Sequence, residues 1–455
     1  MKTFRLWILC FFALLTALPV SEAQNTDIQG YEIKISASNI NESYLYLQSY
    51  YGREAYLFDS AKVKGHKSAI FKNKKREMPS GIYTVIDRQG NEYMDLIIDK
   101  DRRFTITGGE WDIKYCTTAV IDNSEENIQF IEFQKQTKAC GQDFVNTTKI
   151  TKMYYESMPS SFLGQYLKYA YNFNPMLPTW DELDKQDEVD STYESQLYQI
   201  LKEHYLDIYS FEDPRLMRCP IYTDIKGYFM DILPQDSQQT IIHYAEKFLS
   251  QIKDKEAYEY YVADLLKLFE SQSNSRIYDQ VFVYLYDNHC ANKNIGSISE
   301  DLYRYYQRSA DRKRRLLPGE TVPVLVSYDI HNAKHASSDI DKDYIILWFW
   351  DADCDECIVE TPKLNEFYNE FASHYNLEVF AVAITDDLEK WDNFCKNHGF
   401  SWVNVNYYMN DPNYDFIEYF NLITTPVIYL LDKNHTIIDR NFPLEELHEK
   451  LRIKE

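Results

Sequence analysis

Cys354 and Cys357, with Asp355 and Glu356 between them, are the closely spaced pair among the chain's eight cysteines. Two thiols three positions apart at the opening of a helix meet the needs of reversible disulfide chemistry. One helical turn brings the sulfurs within bonding distance, and the unpaired N–H groups and macrodipole of a helix N-terminus favour a thiolate on the first. Cys354 is therefore the candidate attacking thiol, and Cys357, deeper in the helix, the candidate resolving thiol. Structural zinc would also use cysteines, but it requires a second pair of ligands. The nearest candidates, His331 and His335, lie in a polar stretch and there is no second C-x-x-C, so no metal is expected. Glu360, one turn after Cys357, has two readings: a proton shuttle for the resolving thiol, or an ordinary exposed acid on an amphipathic helix. The chain has no phosphate-binding Gly-rich loop, G-x-S-x-G elbow or H-E-x-x-H. No cofactor is expected, and no nicotinamide or flavin site is visible.

The elements around the pair must place it. Tyr344–Trp350 is a continuous apolar run, as a buried central strand would be, and it ends just before the cysteines. An amphipathic helix from about Asp355 to His374 follows, with Ile358, Leu364, Phe367 and Phe371 expected inward. Then come a strand (Leu377–Ile384), a helix (Leu388–Asn397), a strand (Trp402–Val405), a helix (Tyr414–Phe420), two strands (Val427–Leu431 and Thr436–Asp439) and a last helix (Pro443–Leu451). Alternation of this kind predicts an α/β domain over residues 319–455, with parallel strands and right-handed crossovers.

The rest of the chain reads differently. Period-two alternation marks six short strands: Tyr31–Ile35, Tyr44–Leu47, Ala55–Phe58, Gly81–Ile86, Tyr93–Ile98 and Arg103–Ile106. They predict a small all-β domain over residues 24–122, sandwich-like in architecture. From 123 to 318 the period is helical. Tyr258, Val262, Leu265, Leu266 and Phe269 form one stripe, and Phe162, Tyr166 and Tyr169 another. A tyrosine stripe at that spacing is core, with its hydroxyls reaching toward water. Asp213-Pro214 and Cys219-Pro220 divide this all-α region into two blocks. The expected fold class is multidomain: all-β, then all-α, then α/β.

Residues 1–23 have the layout of a cleavable secretory signal. Lys2 and Arg5 precede an apolar run from Leu6 to Leu18, and Ser21-Glu22-Ala23 supplies small residues at the cleavage positions. No other stretch approaches the length of a membrane span, so no transmembrane segment is expected in the mature chain. The formal net charge of −23 opposes general affinity for nucleic acid or anionic membranes. Two basic clusters, Lys72–Arg76 and Arg312–Arg315, run against that field and read as solvated surface or a domain junction. Outside the cytosol a thiol pair can persist oxidised. Beyond the leader, Cys116, Cys140, Cys219, Cys290 and Cys395 are too few and scattered for a disulfide framework, and read as small buried hydrophobes.

A second signature, Thr424-Thr425-Pro426-Val427, stands immediately before a strand. With Phe349-Trp350-Asp351-Ala352-Asp353-Cys354-Asp355-Glu356-Cys357, it resembles the thioredoxin superfamily, specifically the exported TlpA/ResA-like thiol–disulfide oxidoreductases. The resemblance implies a thioredoxin fold for residues 319–455. It implies that Pro426 is the cis-proline facing the disulfide, and that Thr425 and Pro426 bind substrate through the backbone before the proline. Glu360 and Pro362 fall where that branch carries an acid and a helix-kinking proline. The whole chain is similar to a multidomain bacterial envelope group. His204–Pro220 carries the likeness in the helical part and Asp59-Ser60-Ala61 in the β-rich part.

Two departures bear on chemistry. The tryptophan that usually precedes the first cysteine is Asp353, and the intervening pair is Asp-Glu. Asp351, Asp353, Asp355 and Glu356 thus crowd the sulfurs. At roughly 6–8 Å and an effective dielectric of about 40, each repels a thiolate by about 1 kcal/mol. The helix terminus offers about 0.3–1 kcal/mol the other way. Repulsion wins, which predicts a comparatively stable disulfide and a reducing role. The expectation is a periplasmic or envelope thiol–disulfide oxidoreductase, a reductase or isomerase of envelope proteins. Its partners would be protein thiols and disulfides and a protein electron donor. The rival is a non-enzymatic envelope binding protein that uses the same fold as scaffold.

Overall fold

The computed structural model describes residues 30–38, 40–65, 67–108, 118–141, 143–170, 191–206, 213–220, 225–233, 237–271, 275–292, 295–409 and 415–452. The leader at 1–23 and Cys116 lie outside the described residues. The chain divides into two compact units, one of residues up to Ser49 with Leu57–Lys135, the other of Tyr50–Tyr56 with Gln136–Glu455.

The first unit is β-rich. Its strands are β1 (Tyr31–Ser36), β2 (Tyr44–Tyr51), β3 (Glu54–Lys62), β4 (Ser68–Asn73), β5 (Gly81–Ile86), β6 (Glu92–Ile98), β7 (Arg103–Thr107) and β8 (Val120–Asp122). They form two four-stranded sheets, ordered β4-β1-β7-β8 and β3-β2-β5-β6. Ile33, Ile35 and Phe71 from one sheet share a core with Leu45, Leu47, Val85 and Leu96 from the other, which makes a sandwich. The sequence reading finds six of these strands and misses β4 and β8. In β4 only Ala69 and Phe71 turn fully inward, so the strand carries too little alternation to stand out among its lysines. Helix α1 (Glu125–Ala139) begins at this unit. Its buried Asn127 accepts from Ile97 N–H at 2.8 Å and donates to Ile97 O at 2.7 Å, completing the outer edge of β6.

The second unit begins with helices: α2 (Phe144–Ser157), α3 (Phe162–Ala170), α4 (Ser191–His204), α5 (Gln238–Gln251), α6 (Lys255–Glu270), α7 (Tyr278–Leu285) and α8 (Glu300–Arg314). Val262, Leu265, Leu266 and Phe269 of α6 are buried in its core, and Tyr258 is half-buried beside them. Phe162, Tyr166 and Tyr169 are buried as expected. Pro214–Arg218 is a short 3-10 turn capped by Asp213, whose carboxylate accepts from Arg215 N–H.

A seven-stranded sheet follows: β9 (Val326–Tyr328), β10 (Lys334–Ala336), β11 (Tyr344–Trp350), β12 (Leu377–Ala383), β13 (Val403–Asn406), β14 (Val427–Asp432) and β15 (Ile437–Arg440). The order is β10-β9-β13-β12-β11-β14-β15. Strands β11, β12 and β13 run parallel, whereas β14 is antiparallel to β11 and β15 to β14. The expected parallel strands are β11, β12 and β13, and the sheet as a whole is mixed, with β14 and β15 joined as a hairpin that needs no crossover. The polar stretch holding His331 and His335 is the β9–β10 hairpin. Helices α9 (Asp355–Tyr375), α10 (Leu388–His398), α11 (Phe416–Phe420) and α12 (Leu447–Arg452) complete the domain. All seven residues of β11 are buried. The sheet is covered on both faces by separate apolar clusters, one around Trp348, Trp350 and Leu364, the other around Leu347, Phe349 and Phe420.

The helices and this sheet are tied by buried charge. Asp279 of α7 meets both Lys313 of α8 and Arg440 of β15. All three are nearly inaccessible, at 2%, 5% and 1% exposure. Around them Arg276 reaches Glu446 at 2.7 Å and Asp439 at 3.5 Å. Arg315 donates to Tyr419 O at 2.9 Å. Of the two readings of the 312–315 cluster, Lys313 and Arg315 follow the junction reading.

Candidate active site

Strand β11 ends at Trp350, and the chain turns through Asp351–Asp353 into α9. The turn is fixed by its first acid: Asp351 O accepts from Cys354 N–H at 3.3 Å, and Asp351 Oδ1 accepts from Asp353 N–H at 2.9 Å. Cys354 is the N-cap of α9, and its sulfur accepts from Cys357 N–H at 3.2 Å, the bond that a serine or aspartate oxygen usually makes. The sequence expectation that the first thiol meets a helix N-terminus thus has a specific contact. Cys354 is half-buried and Cys357 fully buried, and both are free thiols.

The Thr424-Thr425-Pro426 segment faces this pair. The Thr425–Pro426 bond is cis. Thr425 O accepts from the Cys354 thiol at 3.2 Å. Burial pushes the Cys357 thiol up to about 12, and the adjacent Cys354 adds to that rise. Hydrogen bonds from the Asp351 backbone and the Thr425 side chain work the other way. Thr425 therefore touches both sulfurs, with its carbonyl on one and its side chain on the other. Four of the five residues singled out from sequence, Cys354, Cys357, Thr425 and Pro426, come together here. Glu360 lies one turn along α9, where its Oε1 accepts from Lys363 Nζ at 2.6 Å.

The four acids do not act alike. Asp355 and Glu356 are exposed at the start of α9. Asp353 pairs with Lys390 of α10. Burial raises the Asp351 carboxyl above the usual carboxylate range; Lys390 opposes that rise and Asp386 adds to it. Lys390 is the functional candidate that the sequence reading missed. A signal for it existed in the topology. Parallel neighbours in a sheet end on the same side, so residues just after β12 stand beside residues just after β11. Trp350 pairs with Ala383 across these strands.

Other expectations need adjustment. Ile358 is 41% exposed, so the inward face of α9 is carried by Leu364, with Phe367 and Phe371 half-buried. Pro362 sits inside α9. Cys395 is half-buried, and burial pushes its thiol up to about 12. His335 pairs with Asp329 at 3.0 Å on the β9–β10 hairpin, three strands from β11. Among the described residues no cluster of three or more His, Cys, Asp or Glu side chains could hold a metal ion. Among them, too, no helix is long and apolar enough to cross a membrane.

Residues 341–437 match a family model described as thioredoxin-like. The C-terminal domain is thioredoxin-like. Among solved structures, a domain of a possible thiol-disulfide isomerase from Cytophaga hutchinsonii is 32% identical, with 30% of this chain and 90% of that one covered and a TM-score of 0.28. The thioredoxin domain of a thiol-disulfide oxidoreductase from Bacteroides vulgatus is 23% identical, covering 30% and 94% with a TM-score of 0.27. A thioredoxin-like protein from Bacteroides caccae is 16% identical but extends over 61% of this chain and 98% of its own, with a TM-score of 0.35. No curated protein matches the chain. The thioredoxin-like domain holds the thiol pair at the end of its central strand and the cis-proline segment against it.

Proposed function

We propose that this protein is an exported thiol–disulfide oxidoreductase of the TlpA/ResA-like branch, acting as a reductase or isomerase on disulfides of envelope proteins. The observation that carries the reading is Thr425, placed beside Pro426 and in contact with both Cys354 and Cys357. The match of residues 341–437 to the thioredoxin-like family, and the signal-like layout of residues 1–23, support it.

In the first step the Cys354 thiolate attacks one sulfur of a substrate disulfide. A new S–S bond joins protein to substrate, the substrate's own S–S bond breaks, and its second sulfur leaves as a thiolate that takes up a proton. Cys357 then loses its proton and attacks the Cys354 sulfur. The mixed disulfide opens, the substrate departs as a dithiol, and Cys354–Cys357 is left as the disulfide. Two electrons have passed from the pair to the substrate, and a protein dithiol donor must return them. Glu360 is the proposed acceptor of the Cys357 proton, and Thr425 and Pro426 hold the substrate strand.

The test is a redox titration of the purified chain in glutathione or dithiothreitol buffers, following Cys354 and Cys357 by thiol labelling and mass. A reversible two-electron transition, with exchange lost in Cys354→Ser, is the expected outcome. Thiols that never pair would instead support the binding-protein reading.

A further inference from the structure

Asp353 stands immediately before the attacking thiol, exposed to solvent and charged. An uncompensated carboxylate there opposes the thiolate on which exchange depends. The structure gives that carboxylate a partner in Lys390, which comes from a different element. Lys390 is held in place by its own helix. Asp387 caps α10 and accepts from Lys390 N–H at 2.9 Å, and the next residue, Trp391, is 1% exposed in the core. Lys390 also acts on Asp351, the acid whose oxygens fix the turn into α9.

We propose that Lys390 is a positioning residue for the thiol pair, holding Asp353 in an ion pair toward α10 so that its charge does not fall on the Cys354 sulfur. Asp353 and Lys390 then act as a unit. The aspartate is tolerable next to the cysteine because the lysine is present, and together they also fix the turn that presents the sulfur. The other groups beside Cys354 are Asp351, Asp355 and Glu356 from its own segment and the Thr425 carbonyl from the cis-proline segment, while Asp386 ahead of α10 acts on Asp351. None of these supplies a positive charge.

This inference rests on the proposed function for its meaning, but its test does not. Alkylation of Cys354 by iodoacetamide, followed by peptide mass in the full reduced chain, reads the thiolate without any exchange partner. Lys390→Gln is expected to slow that alkylation at neutral pH by about threefold, the scale of an exposed ion pair, and to move its pH profile upward. Lys390→Arg should restore the rate. Adding Asp353→Asn to Lys390→Gln should recover most of it, because the charge that needed a partner is gone. An unchanged rate in Lys390→Gln would overturn the proposal. So would a slowing that Lys390→Arg shares, or one that the double variant fails to relieve. A chain that alkylates as expected but never cycles in glutathione buffer would refute the proposed function and leave the role of Lys390 standing.

Discussion

The Thr425 carbonyl oxygen accepts the Cys354 S–H at 3.2 Å, so the residue that leads into Pro426 also fixes the orientation of the attacking thiol. Its side chain bonds the second sulfur as well. Thr425→Val keeps the shape and the carbonyl contact but removes the hydroxyl. One net hydrogen bond is worth about 0.5–1.5 kcal/mol, so resolution of the mixed disulfide should slow by roughly 2- to 10-fold. The lifetime of a trapped mixed disulfide measures this directly, and an unaltered lifetime would show that the hydroxyl does not assist Cys357.

Glu360 is held by Lys363 on the surface of α9. If it receives the Cys357 proton, Glu360→Gln slows resolution by about 100-fold, the low end for a positioned proton acceptor, and leaves the first attack untouched. Resolution at the normal rate would assign Glu360 to its ion pair alone.

Burial, complete at Cys290 and Cys357 and partial at Cys395, pushes three thiols of the reduced chain upward: Cys290 to about 11, Cys357 to about 12 and Cys395 to about 12. In the unfolded chain a thiol ionises near 8.5. Between that value and the folded ones the unfolded state has lost protons that the folded state keeps, so stability falls as pH rises. The contribution is complete below about 8.5 and declines from there toward 11–12. Urea midpoints of the reduced chain between about pH 8.5 and 10, below the usual tyrosine range, should therefore drop. A variant with alanine at all three positions should drop less. Parallel slopes would refute the assignment.

Much of this site could be read from the sequence, for identifiable reasons. The thiols, the cis-proline segment and the buried β11 are local patterns, each written in fewer than ten consecutive residues. Lys390 is separated from Cys354 by a helix and a strand, and only the adjacency of β11 and β12 brings them together. The direction of β14 was equally hidden, because an apolar run has no polarity of its own. Strand β4 is lost among lysines, and Ile358 reads as a core residue although, next to the buried Cys357, it lies on the solvent side of α9.

In the β-rich unit, the buried Asn127 side chain satisfies both the N–H and the carbonyl of Ile97. Asn127→Leu keeps the volume but leaves those two groups without a partner, at about 1–3 kcal/mol each. Chemical denaturation should show a loss in that range or above, and a loss under about 0.5 kcal/mol would mean that water replaces the amide.

Asp279→Asn strips the charge that balances Lys313 and Arg440, both almost fully buried. Breaking a buried pair from one side costs about 3–5 kcal/mol. Thermal or urea unfolding of the whole chain should register that loss. A variant as stable as the parent would mean that the two cations find other partners.

The same buried contact has a kinetic meaning. Because Asp279 sits in a helix and Arg440 in the edge strand of the thiol-bearing sheet, the helices are packed against that sheet through a buried contact and not strung from it on a flexible tether. A flexible linker would let the thiol pair sweep a volume and find any exposed disulfide within its radius, at an effective concentration set by linker length. A rigid arm has no such sweep. Under the proposed function, a client held against the helices would be reduced only if its disulfide lay at the one reach the fold allows, and selection among clients would fall to their shape.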